Sequence, residues 1–235
     1  LNSTTNTAQA PIGIIPAEEL HSVQATSTSG ALSIPPTQGA SSTSMLPTSP
    51  EAGASAIRLL AVGDIMLDRT VATRMKNAKD LAYPFKGLPA GWLSSFDYTL
   101  ANLEGPVTSR RRPPEKTIDF QFALEVVPML KEQGFDGFSQ ANNHALDQGE
   151  AGYVESVRVL RDAGFTVFGH QVRDDQVALA TTTIKGKTFA FLGWNSTDNP
   201  IDEVAASATL REARAQADYV IAVLHWGAEY QDRPL

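Results

Sequence analysis

From Ile57 onward, apolar runs of strand length alternate with amphipathic stretches of helix length. "IRLLAV" predicts a strand ending at Gly63-Asp64, and apolar Leu67, Val71 and Met75 predict a helix over Leu67 to Asn77. "FDYTLANLE" reads as a second strand, and Glu125 to Gln133 as a helix stopped by Gly134, since glycine enters the left-handed region that ends a helix. "FDGFSQ" follows as a strand, Glu150 to Ala163 as a helix closed by Gly164, and "FTVFG" as another strand. "ALATTTIKGKTFAFLGW" predicts a hairpin turning at Lys185-Gly186-Lys187. Ala206 to Ala217 is helical by propensity, and "YVIAVLHW" is the last and most apolar strand. Alternating strands and helices predict an α/β sandwich with a largely parallel sheet.

Residues 1 to 56 break this texture. Ser, Thr, Pro, Ala and Gly dominate them, and no Lys, Arg or aromatic residue precedes Arg58. Such a segment buries too little apolar surface to offset the entropy of ordering it, so it is expected to be a disordered tether. A spacer holding the folded part off a membrane or wall and a tail without special role both fit that composition. The chain begins at Leu1 rather than Met, which suggests a natural start, and an export signal or anchor with it, lying upstream.

Charge and composition narrow the chemistry. A net charge of −7 over 235 residues argues against a partner with a phosphate backbone, so no nucleic acid is expected. No stretch is apolar for long enough to cross a bilayer. With no cysteine, metal chemistry is left to Asp, Glu, Asn and His.

Ligands of open α/β sheets gather beyond the carboxyl ends of the strands, and those ends are polar here. The first offers Asp64 in "VGDIMLD", the second Asn102 and Glu104 in "ANLEGPVT", the third Asn142, Asn143 and His144 in "ANNHALDQG", and the last His225 in "LHWGAEY". Two carboxylates, an amide oxygen and an imidazole on one edge form a donor set for Mn, Fe, Zn or Mg. Each residue also has a plainer use. Asp64 suits a helix N-cap, Glu104 a solvated turn, Asn142 and Asn143 loop backbone, His225 a core position, and Asp147 a turn before Gly149. His21 lies in the tether and His170 in a polar loop, where both are expected at the surface. Arg110-Arg111-Arg112 either contacts a polyanion or faces water.

"AVGDIMLDR", "ANLEGPVT", "ANNHALDQG" and "LHWGAEY", in that order, resemble the bacterial capsule-synthesis proteins of the CapA and PgsA type, relatives of the calcineurin-like metallophosphatases. The resemblance implies a four-layer α/β/β/α fold, a part in poly-γ-glutamate capsule production, and an exported domain at the cell surface or anchored to the membrane. Residues 57–235 then form the N-terminal part of such a domain, apparently truncated before a His-x-His segment near its end.

Carried over by resemblance, Asp64 and Glu104 are metal-binding carboxylates, Asn143 binds through its amide oxygen, and His225 is an imidazole ligand. His144 resembles the general acid, with Asp147 as the partner that fixes its tautomer. Where phosphatase relatives commonly carry Asp-x-His, this chain has Asp64-Ile65-Met66, and a thioether is a poor ligand for a hard ion. The expected partners are an anionic cell-surface polymer and membrane-bound synthesis machinery. Three functions remain open: a metal-dependent hydrolase in polymer production, a non-catalytic polymer-binding or assembly component, and a metal-dependent phosphoesterase.

Overall fold

The structure, a computed structural model, describes residues 12–16, 56–169, 179–197 and 200–227. Most of the expected tether, His21, His170 and the chain's C-terminal residues lie outside the described residues.

One four-stranded sheet is wholly parallel, in the order β2 (Leu59–Ile65), β3 (Tyr98–Leu103), β4 (Gly137–Ser139), β5 (Thr166–Phe168). The other runs β1 (Ile12–Pro16), β8 (Tyr219–His225), β7 (Lys187–Asn195), β6 (Leu179–Ile184). In it β7 and β8 are parallel, while β6 and β1 lie antiparallel at its edges. The strands thus form two sheets, one wholly parallel and one mixed. β1 falls within the stretch whose composition predicts a tether, so five of those residues are a strand instead.

Helix ends follow local chemistry. The helix α1 (Arg69–Ala78) is capped by Asp68, whose carboxylate accepts the Arg69 N–H. α2 (Val126–Gln133) stops at Gly134, whose φ of 99° is left-handed. α3 (Gly149–Asp162) closes through Phe165 N–H to the Leu160 carbonyl and Gly164 N–H to Arg161. The β6–β7 hairpin turns on Lys185 and Gly186, both at positive φ, as a tight two-residue turn requires. α4 (Glu203–Gln216) starts three residues before its predicted beginning because Asp202 caps it, accepting from Val204 and Ala205.

Three apolar clusters define four layers. Val126, Leu130, Tyr153 and Leu160 of the helices meet Ala101, Leu103 and Phe138 of the parallel sheet. Tyr98, Leu100 and Phe168 of that sheet meet Phe189, Phe191, Ile221 and Val223 of the mixed sheet. Ala190, Leu192 and Val220 on the mixed sheet's far face take Ala213 of α4. This is the expected four-layer α/β/β/α sandwich. Its middle layer is aromatic: Tyr98 stacks on Phe191 with centroids 5.0 Å apart, and Phe168 lies 5.4 Å from the same ring.

One irregularity sets the direction of a side chain that matters later. Leu59 and Ala61 face the second sheet while Leu60 and Val62 face the helices, so strict alternation would turn Asp64 toward the helices. A β-bulge between Ala61 and Asp64 inserts one residue, so Asp64 pairs with Asn102. Asn102 shares the face of Leu100, the side toward the second sheet.

At the same end the sheets come close. A Cβ on Gly193 of β7 would lie 2.8 Å from the Gly169 Cα and 2.9 Å from the Ser139 hydroxyl. Gly193→Ala should therefore cost about 1–3 kcal/mol in urea unfolding, and Phe191→Ala, at the middle of the aromatic layer, about 3–5 kcal/mol. Wild-type midpoints for both variants would contradict this account of the sheet interface.

Candidate functional site

The parallel strands all point their carboxyl ends at one edge, and the loops leaving β3 and β4 carry the polar residues there. Asn142 is the first to be fixed, by main-chain groups. Its amide nitrogen donates to the Leu103 carbonyl at 2.9 Å, and its oxygen accepts the His144 N–H at 3.1 Å. With its orientation set, Asn142 donates to the Asn102 oxygen at 3.0 Å, which turns the Asn102 amide nitrogen toward Asp64 Oδ1 at 2.7 Å.

His225 reaches this group from the opposite sheet. Ile221, Val223 and His225 share one face of β8, and the first two fill the inter-sheet core. The ring's Nδ1 lies 3.4 Å from the Asn102 amide nitrogen and 3.6 Å from Asp64 Oδ1, and its Nε2 lies 3.1 Å from Asn143 Oδ1. An amide N–H facing Nδ1 makes that nitrogen the acceptor, so Nε2 carries the proton shared with Asn143. The expected residues Asp64, Asn143 and His225 thus come together, with Asn102 bridging the first and last.

His144 and Asp147 form a neighbouring pair. His144 Nδ1 is 2.7 Å from Asp147 Oδ2, which also accepts the Phe120 N–H at 2.8 Å. The Phe120 ring lies over the imidazole with centroids 4.1 Å apart. Lys116 Nζ donates to the Asn143 carbonyl at 2.6 Å and sits 3.2 Å from Asp147 Oδ1, an ion pair without hydrogen-bond alignment. Glu104 is fastened at the end of β3 by its N–H to the Ile65 carbonyl, with a half-buried side chain. Among the described residues no three of His, Asp and Glu gather closely enough to hold an ion, so Glu104 does not join Asp64 and His225 in such a cluster.

Several plainer readings are settled by the contacts. Asp64 caps no helix, because α1 starts later and Asp68 caps it. Met66 points into the helix-side core, and its sulfur accepts the Asp68 N–H at 3.2 Å. Arg110, Arg111 and Arg112 are exposed but each is paired, with Glu155, Asp119 and Glu115 respectively. Hydroxyls of Thr108 and then Ser109 donate to the Glu155 carboxylate and hold it below the usual range, which fastens the root of this loop to α3. Two open surface hollows lie beside Ile201 and Leu210, where the Ser196 N–H donates to the His225 carbonyl, and beside Phe85 and Trp92.

Comparison with known proteins agrees with the order of motifs. Residues 58–235 match the family model described as bacterial capsule synthesis protein PGA_cap. The chain belongs to this family. PGA biosynthesis protein CapA of Bacillus subtilis is 29% identical over 192 residues, covering 74% of this chain and 50% of that protein. Capsule biosynthesis protein CapA of Bacillus anthracis is 25% identical over 200 residues, covering 76% of this chain and 48% of that protein. The chain thus spans about half the length of these curated relatives. A crystal structure of a hypothetical protein from Thermus thermophilus is similar over 70% of this chain and 56% of its own, at 20% identity and a TM-score of 0.42.

Within this capsule-synthesis domain, Lys116 and Phe120 are the site residues that strand-end reasoning misses. They come from the loop after β3, whose closeness to "NNHALD" is set only by the folded chain. Asn142 is the keystone of the amide chain, and replacing it leaves buried partners unpaired. Asn142→Ala should cost about 2–4 kcal/mol in urea unfolding, since each orphaned buried polar group costs about 1–3 kcal/mol. A loss below about 0.5 kcal/mol would mean that the network does not hold the edge together.

Proposed function

We propose that this domain takes part in capsule polymer production by holding a divalent metal ion at Asp64, Asn143 and His225 and acting on a cell-surface polymer or its linkage. The observation that supports this most is the meeting of a carboxylate, an imidazole and an amide oxygen from three different strand ends. The 3.1 Å between His225 Nε2 and Asn143 Oδ1 resembles the separation of adjacent ligands on an ion bound at ordinary lengths, about 3.0–3.4 Å. Nε2 faces the Asn143 oxygen, so His225 offers that nitrogen to the ion and keeps Asn102 as the partner of Nδ1. Oxygen and nitrogen donors of this kind suit Mn, Fe, Zn or Mg. Glu104, the other carboxylate that the family resemblance implies, stands outside this group.

The ion supplies Lewis acidity toward the oxygen of the bond to be cleaved. Among the chain's own groups, Asp147 accepts the Nδ1 proton of His144, so in the doubly protonated ring Nε2 is the atom that hands a proton to the departing oxygen. Phe120 shields one face of that ring from water, and Asn102 keeps Asp64 aimed at the second sheet. The same reading sets the domain outside the cell, held near membrane-bound synthesis machinery by the N-terminal segment.

Metal content and calorimetric Mn titration test the first part. The wild-type chain should bind Mn, and Asp64→Ala and His225→Ala should lose it. A wild type that takes up no divalent ion would sink the metal reading. A second reading, a non-catalytic component that binds the polymer, is favoured by the lack of a three-member His, Asp and Glu cluster among the described residues. His144→Ala separates the two in cells. Loss of polymer with metal binding intact supports catalysis, whereas normal polymer supports binding alone.

A further inference from the structure

We infer that Lys116 is a positioning residue for the Asn143 ligand, an inference that rests on the metal reading above. Within the turn after β4, the carbonyls of Asn142, His144 and Leu146 accept backbone N–H groups, whereas that of Asn143 accepts the Lys116 ammonium at 2.6 Å. The same ammonium pairs with Asp147 Oδ1 at 3.2 Å, and the Asp147 side chain is fully buried. One cation thus clamps both ends of the Asn143–Asp147 turn. At one end is the residue whose amide oxygen meets His225, and at the other the carboxylate that holds His144.

The clamp is separable from the loop that carries it. Gln148 independently fastens that loop, accepting the Arg112 N–H at 2.8 Å and donating to Asp119 and the Phe120 carbonyl. Arg111 and Asp119 add an ion pair at 3.5 Å. The Lys116 side chain is itself half exposed, so losing its ammonium removes a contact rather than part of the core. Without it the Asn143 carbonyl loses a charge-assisted hydrogen bond, and the Asn143 side chain is freed to turn away from His225.

The test uses Lys116→Met, which keeps the aliphatic stem, and Lys116→Arg, which keeps a cation able to reach both acceptors. In Mn titration, Lys116→Met should bind about 10–100-fold more weakly than wild type, as loss of an outer partner of a metal ligand typically does. Lys116→Arg should recover most of that loss with a urea midpoint near the wild-type value, while Lys116→Met, which leaves the Asn143 carbonyl and the buried Asp147 Oδ1 without their cation, should unfold at a lower urea concentration yet stay folded in the titration. A second readout needs no metal: in Lys116→Met His225 should keep the Nε2–H tautomer that Asn102 fixes, but its ring Nε2 resonance should shift as the bond to Asn143 is lost. A wild type that binds no Mn defeats the metal reading and leaves the ring pattern to judge Lys116. Wild-type Mn affinity in Lys116→Met, or an unchanged His225 pattern, overturns the inference.

Discussion

Two packed sheets share a site only where side chains from both turn inward at the same edge, and here that condition hangs on one extra residue in β2. Alternation along a strand is strict, so without the bulge the Asp64 carboxylate would join Leu60 and Val62 among the helices. The inserted residue reverses its direction and sets it against Asn102. The glycine at position 193 serves the same end from the other sheet, by allowing β7 to approach the loops after β4 and β5. Aromatic packing in the middle layer holds the two sheets at that approach.

Polar order at the edge is passed from residue to residue. Main-chain groups of Leu103 and His144 fix Asn142, Asn142 fixes Asn102, and Asn102 orients both Asp64 and the tautomer of His225. Amides suit this role because each presents a donor and an acceptor in one plane, so direction is transmitted without adding charge. Charge is confined to the ends of the chain of contacts, at Asp64 and at the Lys116–Asp147 pair.

Much of this was legible in the sequence because it follows from local rules. Strands and helices showed in their periodicity, and Gly134, Gly164 and the Lys185-Gly186 turn marked where they stop. The strand-end residues Asp64, Asn102, Asn142, Asn143 and His225 were visible as a set because parallel strands deliver their carboxyl ends to one edge. The start of α4 was missed because Asp202, its cap, lies in a polar run that carries no apolar period. The bulge was illegible for a deeper reason: a one-residue slip leaves composition unchanged and shows only against a partner strand. Lys116 is of the same kind, a loop cation whose partner lies far along the chain and is buried only once the fold exists.

That His225 stands on one sheet while Asp64 and Asn143 stand on the other ties occupancy to architecture. Any ligand gripping both walls binds the assembled sandwich and not its separated halves, so its binding free energy adds to the work of prying the sheets apart. The edge would then be a lock as well as a site: a ligand held there would also hold the domain closed.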